Sequence, residues 1–498
     1  MKYTAINIGP VIKTISFARR PRELWAASYL FSYLMKCIVA TAKNRACKII
    51  APIEGKANDL AVGLYPDRLY LRHEGDIDAS AIIGEAWEMF NSKVFFNNEV
   101  FPKSSVDVRG YFNLMHVSPP LQTDSDSVAI KKLNEYLDML ELCVFANNPW
   151  EGKDVTENVL KLICKRKDSP LMTGSQGNNM PMETLAEFAA CQLKTVDVDR
   201  WREFEEKNHD DKFTDDPYEV FRNLKEYRSY HRYFCVVQAD GDNMGKNITS
   251  GKLTNEDLKN VSGKLWNYGI DASHVIEEFG GKAIYAGGDD LLFIAPVVGK
   301  DGSDIFTLLG RIEDKFKPVV DAVSAPVNED VPALSFGVAI AYYKHPLYEV
   351  LESARKLLFE VAKKGTVKSK VAWTLKKHSG ETFTSCYSKL DDGLDAAFKT
   401  LIAKTSEGDV VSVAAHKMNT NSTLLEKCLA ADRYCPGSPH LDSFFATIIG
   451  ADDDSYFKAV KELIKKMDTA KDVTNFGSTL YAMLRTAKFI KGEDTKDE

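Results

Sequence analysis

From residue 233 onward the hydrophobic period of this chain switches in a fixed order, and that order restricts its fold more than any other feature. Residues 233–239 (YFCVVQA) form an unbroken apolar run, as a strand buried on both faces requires, and end on Asp240-Gly241-Asp242. A helix is predicted over 254–279. Thr254-x-x-Asp257 makes a capping box, Leu258, Val261, Leu265, Ala272, Val275 and Phe279 share one face, and Gly280-Gly281 ends it. Two short apolar runs, 283–286 and 291–295, are separated only by Gly287-Gly288-Asp289-Asp290, which predicts a hairpin. A helix over 305–323, a strand over 333–341, a helix over 347–363 and a strand over 370–375 complete β-α-β-β-α-β-α-β. The core of that order is the ferredoxin-like split βαβ.

A ferredoxin-like sheet sets its first strand beside the following hairpin. Asp240 therefore converges with Asp289 and Asp290 at one sheet end. Three such carboxylates without a cation would repel one another and raise their own pKa values. The economical solution is Mg²⁺ (or Mn²⁺), held by one or two carboxylates and by substrate phosphates. Two such ions could activate a ribose hydroxyl and stabilise a pyrophosphate leaving group. Gly287 and Gly288 would let a nucleotide approach the backbone. Asp242 is a further candidate nucleotide contact, and Lys363-Lys364-Gly365-x-x-Lys368-x-Lys370 is a candidate triphosphate clamp, although a helix C-terminus favours basic residues in any case. Gly-Gly-Asp-Asp by itself also makes a serviceable polar turn; the strand-end Asp240 and the element order favour the metal site. A calcium loop starting at Asp240 is excluded by Met244 at position five and Gly251 at position twelve, where a glutamate is required. A P-loop is excluded because only three residues separate Gly241 from Gly245, and Asn247 takes the Ser/Thr position.

The N-terminal segment reads as a strand over 3–8, a Gly9-Pro10 break, and a helix with Pro21 in its first turn whose Leu24, Ala27, Phe31, Leu34 and Ile38 share a face. Strand-like runs at 48–53 and 61–71, a helix over 79–95, a strand over 111–117 and a helix over 129–145 follow. Residues 154–228, including the loop 173–181, read as a charged helical connector. The chain after 376 is mostly helical in pattern and ends in KGEDTKDE, an expected disordered tail.

Composition narrows the function classes. The balance of 64 Lys+Arg against 71 Asp+Glu gives a net charge of −7, so nucleic-acid contact would need a local basic surface or basic partners. Nine scattered cysteines without a CxxC argue against a disulfide scaffold or a zinc ribbon and suit reduced thiols in a cytosol. Asn7, Gly9 and Pro10 stand where a signal peptide would have its apolar run. The greasiest stretch, 25–42, is broken by Lys36 and is expected to be too short and too polar to span a bilayer. A cytoplasmic protein without a membrane partner is expected.

VVQADGDNMGK (236–246), AIYAGGDDLLFIAP (283–296) and LSFGVAIAYYKHPLYEVLESARKLLFEVAKK (334–364) resemble the catalytic palm of the large subunit of type III CRISPR–Cas effector complexes. INIGPVIKTISFARRPRELWAASYLFSYLM (6–35) closely resembles the first palm of the Cmr-type (III-B) branch. The resemblance implies an α+β protein with two ferredoxin-like, nucleotidyl-cyclase-like palms: 1–153 a degenerate first palm, 154–228 a helical connector, 229–375 the catalytic palm, and 376–498 a helical C-terminal domain. It implies a nucleotidyltransferase that converts ATP into a second messenger, either a cyclic oligoadenylate or an AMP conjugate such as one with S-adenosylmethionine. The implied trigger is target RNA, captured by a complex of further protein subunits and a guide (CRISPR) RNA. By the same resemblance Asp240, Asp289 and Asp290 are catalytic and metal-binding, and Lys363 is the phosphate-contacting lysine that closes the cyclase helix. Aligning Gly9 with Gly241 puts Ile8 opposite Asp240 and Pro10 opposite Asp242. The first palm is therefore expected to have lost its metal carboxylates and to form the facing wall of a composite site. The family's HD nuclease is expected to be missing, since the only His-Asp pair is His209-Asp210 in the connector, and the family's four-cysteine zinc site cannot be built from this spacing. A stand-alone dinucleotide cyclase and a non-catalytic scaffold anchoring the guide RNA are the alternatives; the intact carboxylate trio counts against the scaffold.

Overall fold

A computed structural model describes residues 1–58, 62–94, 108–147, 184–209, 216–327, 331–391, 393–405, 409–435, 437–450, 454–470, 473 and 475–492. The expected loop 173–181, the first part of the connector, Asp210 and the tail beyond 492 lie outside them.

The N-terminal unit begins with β1 (Lys2–Gly9), a short α1 (Val11–Ser16) and α2 (Pro21–Asn44). It continues through β2 (Lys48–Ala51), β3 (Arg68–His73), α3 (Ala79–Val94), β4 (Asn113–Val117) and α4 (Asp126–Asn147). Proline starts α2 because its fixed φ suits the first helical position and its missing N–H is not needed there. The length of α2 corrects one expectation: by length and apolar content it could cross a membrane, but 83% of its most apolar window is buried inside the protein. It is the central core helix of this unit, with Leu24, Leu30, Leu34 and Ile38 fully buried.

The second unit runs through β5 (Tyr233–Asp242), α5 (Asn255–Phe279), β6 (Lys282–Gly287), β7 (Asp290–Pro296), α6 (Ile305–Val327), β8 (Ala333–Tyr342), α7 (Leu347–Lys356) and β9 (Lys370–Lys376). Thr254 caps α5 by accepting from the Asp257 N–H at 3.2 Å, and Gly280 ends it at φ +107°. A strand absent from the sequence expectation, β10 (Thr382–Ser388), extends the sheet beyond residue 376.

Both sheets share one topology. The first has the order β2-β3-β1-β4, and the second repeats it as β6-β7-β5-β8 before β9 and β10 are added. In each, the first strand lies in the middle, antiparallel to the hairpin strand on one side and to the fourth strand on the other. β9 runs parallel to β8, so a crossover must join them, and α7 provides it. Side chains alternate across a strand. Trp373 of β9 therefore meets Phe306 of α6 on one face, while Gly337 of β8 admits the backbone of α7 on the other.

The two units touch along the outer edge of β6. Gly63 bridges Tyr285, and the Ala286 N–H donates to the Gly63 carbonyl at 2.9 Å. Trp266 of α5 donates its indole N–H to the Lys56 carbonyl at 2.9 Å and meets Tyr65 edge-on. The C-terminal helices close on the second sheet through Trp373, whose indole N–H donates to Thr486 at 3.1 Å, and through Tyr233 against Phe489.

Candidate active site

The register Ala239↔Leu291 sets Asp240 opposite Asp290, and Gly287↔Asp290 closes a two-residue turn made of Gly288 and Asp289. Gly288 has φ +71°, the left-handed conformation such a turn needs at its first central residue, with open space around it. Gly287 has a different reason: a Cβ there would sit 2.3 Å from the Tyr285 hydroxyl. Gly241 on β5 matters as much as either, because a Cβ would lie 2.5 Å from a carboxylate oxygen of Asp289. The bare backbone at 241 is what lets Asp289 fold over the strand beside Asp240.

Lys363 completes the cluster. Its ammonium pairs with the Asp240 carboxylate and donates to the Gly241 carbonyl at 2.9 Å. It reaches there because α7 ends in a π-helical turn, Leu357–Ala362, whose last N–H, that of Lys363, donates to the Leu358 carbonyl at 2.8 Å. Such turns rotate the residue that follows, and they concentrate at functional sites.

Burial sets the electrostatics. Desolvation and the neighbouring Asp240 push Asp289 up to about 7. The same causes, with Asp289 and Asp67 added, push Asp290 well above the ordinary carboxylate range. Asp240 is raised by desolvation, which Lys363 opposes. These groups are held where their charged forms want a cation.

Among the described residues no three His, Cys, Asp or Glu side chains form a complete metal cage. The donors present, two apposed carboxylates with the third facing the adjoining crevice, instead suit a hard cation that brings phosphate oxygens as its remaining ligands.

The other expected residues divide. Asp242 is 2% exposed, and its carboxylate accepts from Ser335 at 2.7 Å and from the Ser369 N–H at 2.9 Å. It is an anchor that ties the lysine-rich loop 363–370 to β5, and its engaged oxygen is not turned to a ligand. Lys364 is exposed on that loop. Lys368 and Lys370 are directed back onto it, to the Gly365 carbonyl at 3.2 Å and the Lys364 carbonyl at 3.3 Å.

Beside the cluster a crevice of about 420 Å³ opens between the two units. Ile8, Ile15 and Phe31 wall it on the N-terminal side, and Asp290, Leu292 and Tyr348 on the other. One expectation is corrected here. Ile8 does take the place of Asp240, but the N-terminal unit retains a carboxylate. Asn7↔Arg68 in the first sheet corresponds to Ala239↔Leu291 in the second, so Asp67 occupies the sheet position of Asp290 and lines the same crevice. The only signal in the sequence was the Asp of Tyr65-Pro66-Asp67-Arg68 at the start of a strand, which no spacing to Ile8 could reveal.

Residues 233–372 match the family model "Cas10/Cmr2, second palm domain", and residues 3–82 match "CRISPR-associated protein Cmr2, N-terminal". The CRISPR system Cmr subunit Cmr2 of Pyrococcus furiosus is 30% identical over 188 residues, a match spanning 32% of this chain and 20% of that protein. Among solved structures, a chain of the type III-B Cmr-beta complex bound to cognate target RNA aligns with 98% of this chain and 83% of its own length at TM-score 0.57 and 12% identity. The apo Cmr-beta complex gives TM-score 0.55 at 12% identity, covering 98% of this chain and 82% of the other. A Csm1-Csm4 cassette in complex with cA4 gives 0.50 at 12% identity, covering 98% and 70%.

Proposed function

This chain belongs to the Cas10/Cmr2 family, in its Cmr branch, and on that premise we propose that it is the nucleotidyltransferase subunit of a cytoplasmic type III CRISPR complex, turning ATP into a nucleotide second messenger when target RNA is captured. The observation that carries this reading is the convergence of Asp240, Asp289 and Lys363 at a sheet end that opens, through Asp290, into a crevice shared by both palms.

Asp240 and Asp289 would hold Mg²⁺ or Mn²⁺, two ions when nucleotide is present, and these supply charge neutralisation at the triphosphate and a lowered pKa for the attacking hydroxyl. The chain's own residues do the positioning. Lys363 leaves the Asp240 carboxylate for the β- and γ-phosphates, and Lys364 adds a second positive charge on the exposed side of the same loop. Gly288 leaves the backbone bare where the nucleotide passes. The acceptor lies across the crevice, so its hydroxyl attacks the α-phosphorus from the first-palm side while pyrophosphate leaves toward the lysines. Support for partner dependence comes from the acidic net charge, which offers no general RNA footprint, and from complexes with RNA and cA4 formed by the structural relatives. The free thiols Cys37, Cys47, Cys191, Cys235, Cys386, Cys428 and Cys435 fit a reducing compartment.

The test is ATP consumption by the chain alone, by the guide-loaded complex, and by that complex with matching RNA, each as wild type and as Asp289→Ala/Asp290→Ala. RNA-dependent turnover that falls on the order of 10³-fold in the double variant is expected. Equal turnover in wild type and variant overturns the assignment.

A further inference from the structure

The lysine-rich loop has two ends, and Lys363 at the first lies against Asp240. At the far end, 368–370, Ser369 is 3% exposed and takes φ +58°, a left-handed conformation uncommon outside glycine. Such a backbone persists where its surroundings fix it. On the side of β5 and β8, Asp242 accepts from the Ser369 N–H at 2.9 Å and the Ser335 hydroxyl accepts from the Lys370 N–H at 3.2 Å. The other side is held by the end of β10. There the Ser388 hydroxyl donates to the Lys368 carbonyl at 3.1 Å, and the Lys389 N–H donates to the Ser369 carbonyl at 2.8 Å.

The Lys389 side chain turns inward as well. It is 9% exposed, pairs with Glu313 of α6 at 2.6 Å, and donates to the Leu334 carbonyl of β8 at 2.9 Å. Its ammonium lies 4.6 Å from the centroid of the Phe336 ring. Leu334 is the register partner of Gly241, whose carbonyl accepts from Lys363. The backbone of Lys389 thus secures the loop while its ammonium secures the strand beside Gly241. Neither Ser388 nor Lys389 falls within the second-palm match, which ends at residue 372. The helix Leu394–Lys404 comes next, tied to β10 by the Tyr387 hydroxyl, which donates to Asp395 at 2.6 Å.

We propose that Lys389 is a positioning residue for Lys363: it locks the far end of the loop to β8 and α6, so that residues beyond the palm set how that lysine is presented to a triphosphate. In the nucleotidyltransferase reading, on which this rests for its purpose, Lys363 exchanges Asp240 for phosphates. That movement belongs to the near end, where Gly365 at φ +87° has open space around it. The near end can move without carrying the rest of the loop away only if the far end keeps its bonds, and the buried Ser369 keeps them on both sides. Lys389 does not line the crevice, so its influence on the site runs through the loop.

Amide hydrogen exchange and ATP kinetics of the assembled complex test this separately. Lys389→Met keeps the apolar stem over Phe336 and removes the ammonium; exchange across 363–370 is expected to quicken by about 10-fold or more, the loss of one charged hydrogen bond. In the RNA-activated complex the KM for ATP should rise about 5-fold or more while kcat changes by less than about 2-fold, as when a binding contribution alone is removed. Lys389→Met leaves Glu313 without its cation, so Lys389→Met/Glu313→Leu is the control for stability: it should regain the melting temperature and keep the raised KM. Lys363→Ala with and without Lys389→Met is the decisive comparison. If Lys389 acts through Lys363, the second substitution adds less than about 2-fold to the KM effect of the first. Fully additive losses, or unchanged exchange across 363–370 in Lys389→Met, overturn the inference. A wild-type complex that fails to consume ATP overturns the catalytic reading instead, and the exchange measurement still decides whether Lys389 holds the loop.

Discussion

Asp240 and Asp242 are two residues apart on one strand and identical in type, yet the structure gives them opposite work. Asp240 meets Lys363, whereas Asp242 is shut in by Ser335 and Ser369. Removing the Asp242 carboxylate would strand two buried donors at about 1–3 kcal/mol each. Asp242→Ala is therefore expected to destabilise the protein by about 3 kcal/mol and to raise the KM for ATP through a loosened 363–370 loop; denaturant unfolding and ATP titration measure both. Gly241→Ala should act on catalysis more than on stability. Its Cβ would lie 2.5 Å from Asp289 and 2.6 Å from Met244, so Asp289 must swing away. A fall in kcat of about 10-fold or more is expected, and an unchanged kcat would show that Asp289 is not held over Gly241. His231 carries a pH signature of its own. It is fully buried and neutral, accepting from the Arg228 N–H at 2.9 Å and donating to Gln192 at 2.9 Å, and burial pushes it down to about 3. The unfolded chain takes up this proton near pH 6.5 and the folded chain does not. Stability is thus complete above that pH and falls by roughly 1.4 kcal/mol per pH unit below it, toward pH 3. His231→Gln should flatten this slope between pH 6 and 4.5, read as the difference in urea midpoint from wild type.

At the scale of elements, the loop clamp depends on how closely α7 lies on β8. Gly337 makes that approach possible: a Cβ would meet the Ala354 carbonyl at 2.2 Å and the Leu358 nitrogen at 2.6 Å, both backbone atoms that cannot turn aside. Gly337→Ala must lift α7 and its π-helical end, at a cost of about 3 kcal/mol, the upper range of overpacking. Because Lys363 follows that turn, triphosphate affinity should fall with stability. A variant with the lower melting temperature but an unaltered KM for ATP would separate the helix from the clamp. The sequence marks the beginning and end of α5 through Thr254 and Gly280, since capping is local chemistry. The π-helical turn has no such mark; it is set by packing of the helix against the sheet. β10 was likewise hidden, because its register against β9 is fixed by a partner strand rather than by its own weak alternation.

At the scale of the whole molecule, two palms share one crevice, and the proposed activity needs both of its walls. Trp266 is a large side chain shared across their boundary, bonded to Lys56 and packed on Tyr65. Trp266→Ala is expected to cost about 3–5 kcal/mol and to lower turnover by about 10-fold or more, with Asp240, Asp289 and Asp290 untouched. Thermal unfolding and RNA-stimulated ATP consumption by the assembled complex measure the two effects.

The strand-helix order from residue 233, the hairpin with its acidic turn, and the helix limits set by Thr254, Gly280 and Pro21 were all determined by the sequence alone. Period, capping and turn chemistry act over a few residues, and neighbours in the chain are enough to specify them. The convergence of Asp240 with the hairpin aspartates followed from the element order, but how each carboxylate turns was decided only in the tertiary structure. Asp240 and Asp289 meet because Gly241 has no side chain, Asp242 turns to Ser335 and Ser369, and Asp67 matches Asp290 through the register of a separate sheet. The extent of burial of α2, beyond the one face its spacing predicts, follows the same rule. The break at Lys36 reads as making the stretch too polar and too short for a bilayer, whereas the 24-residue helix is apolar and long enough for one and is instead packed as the core of a palm.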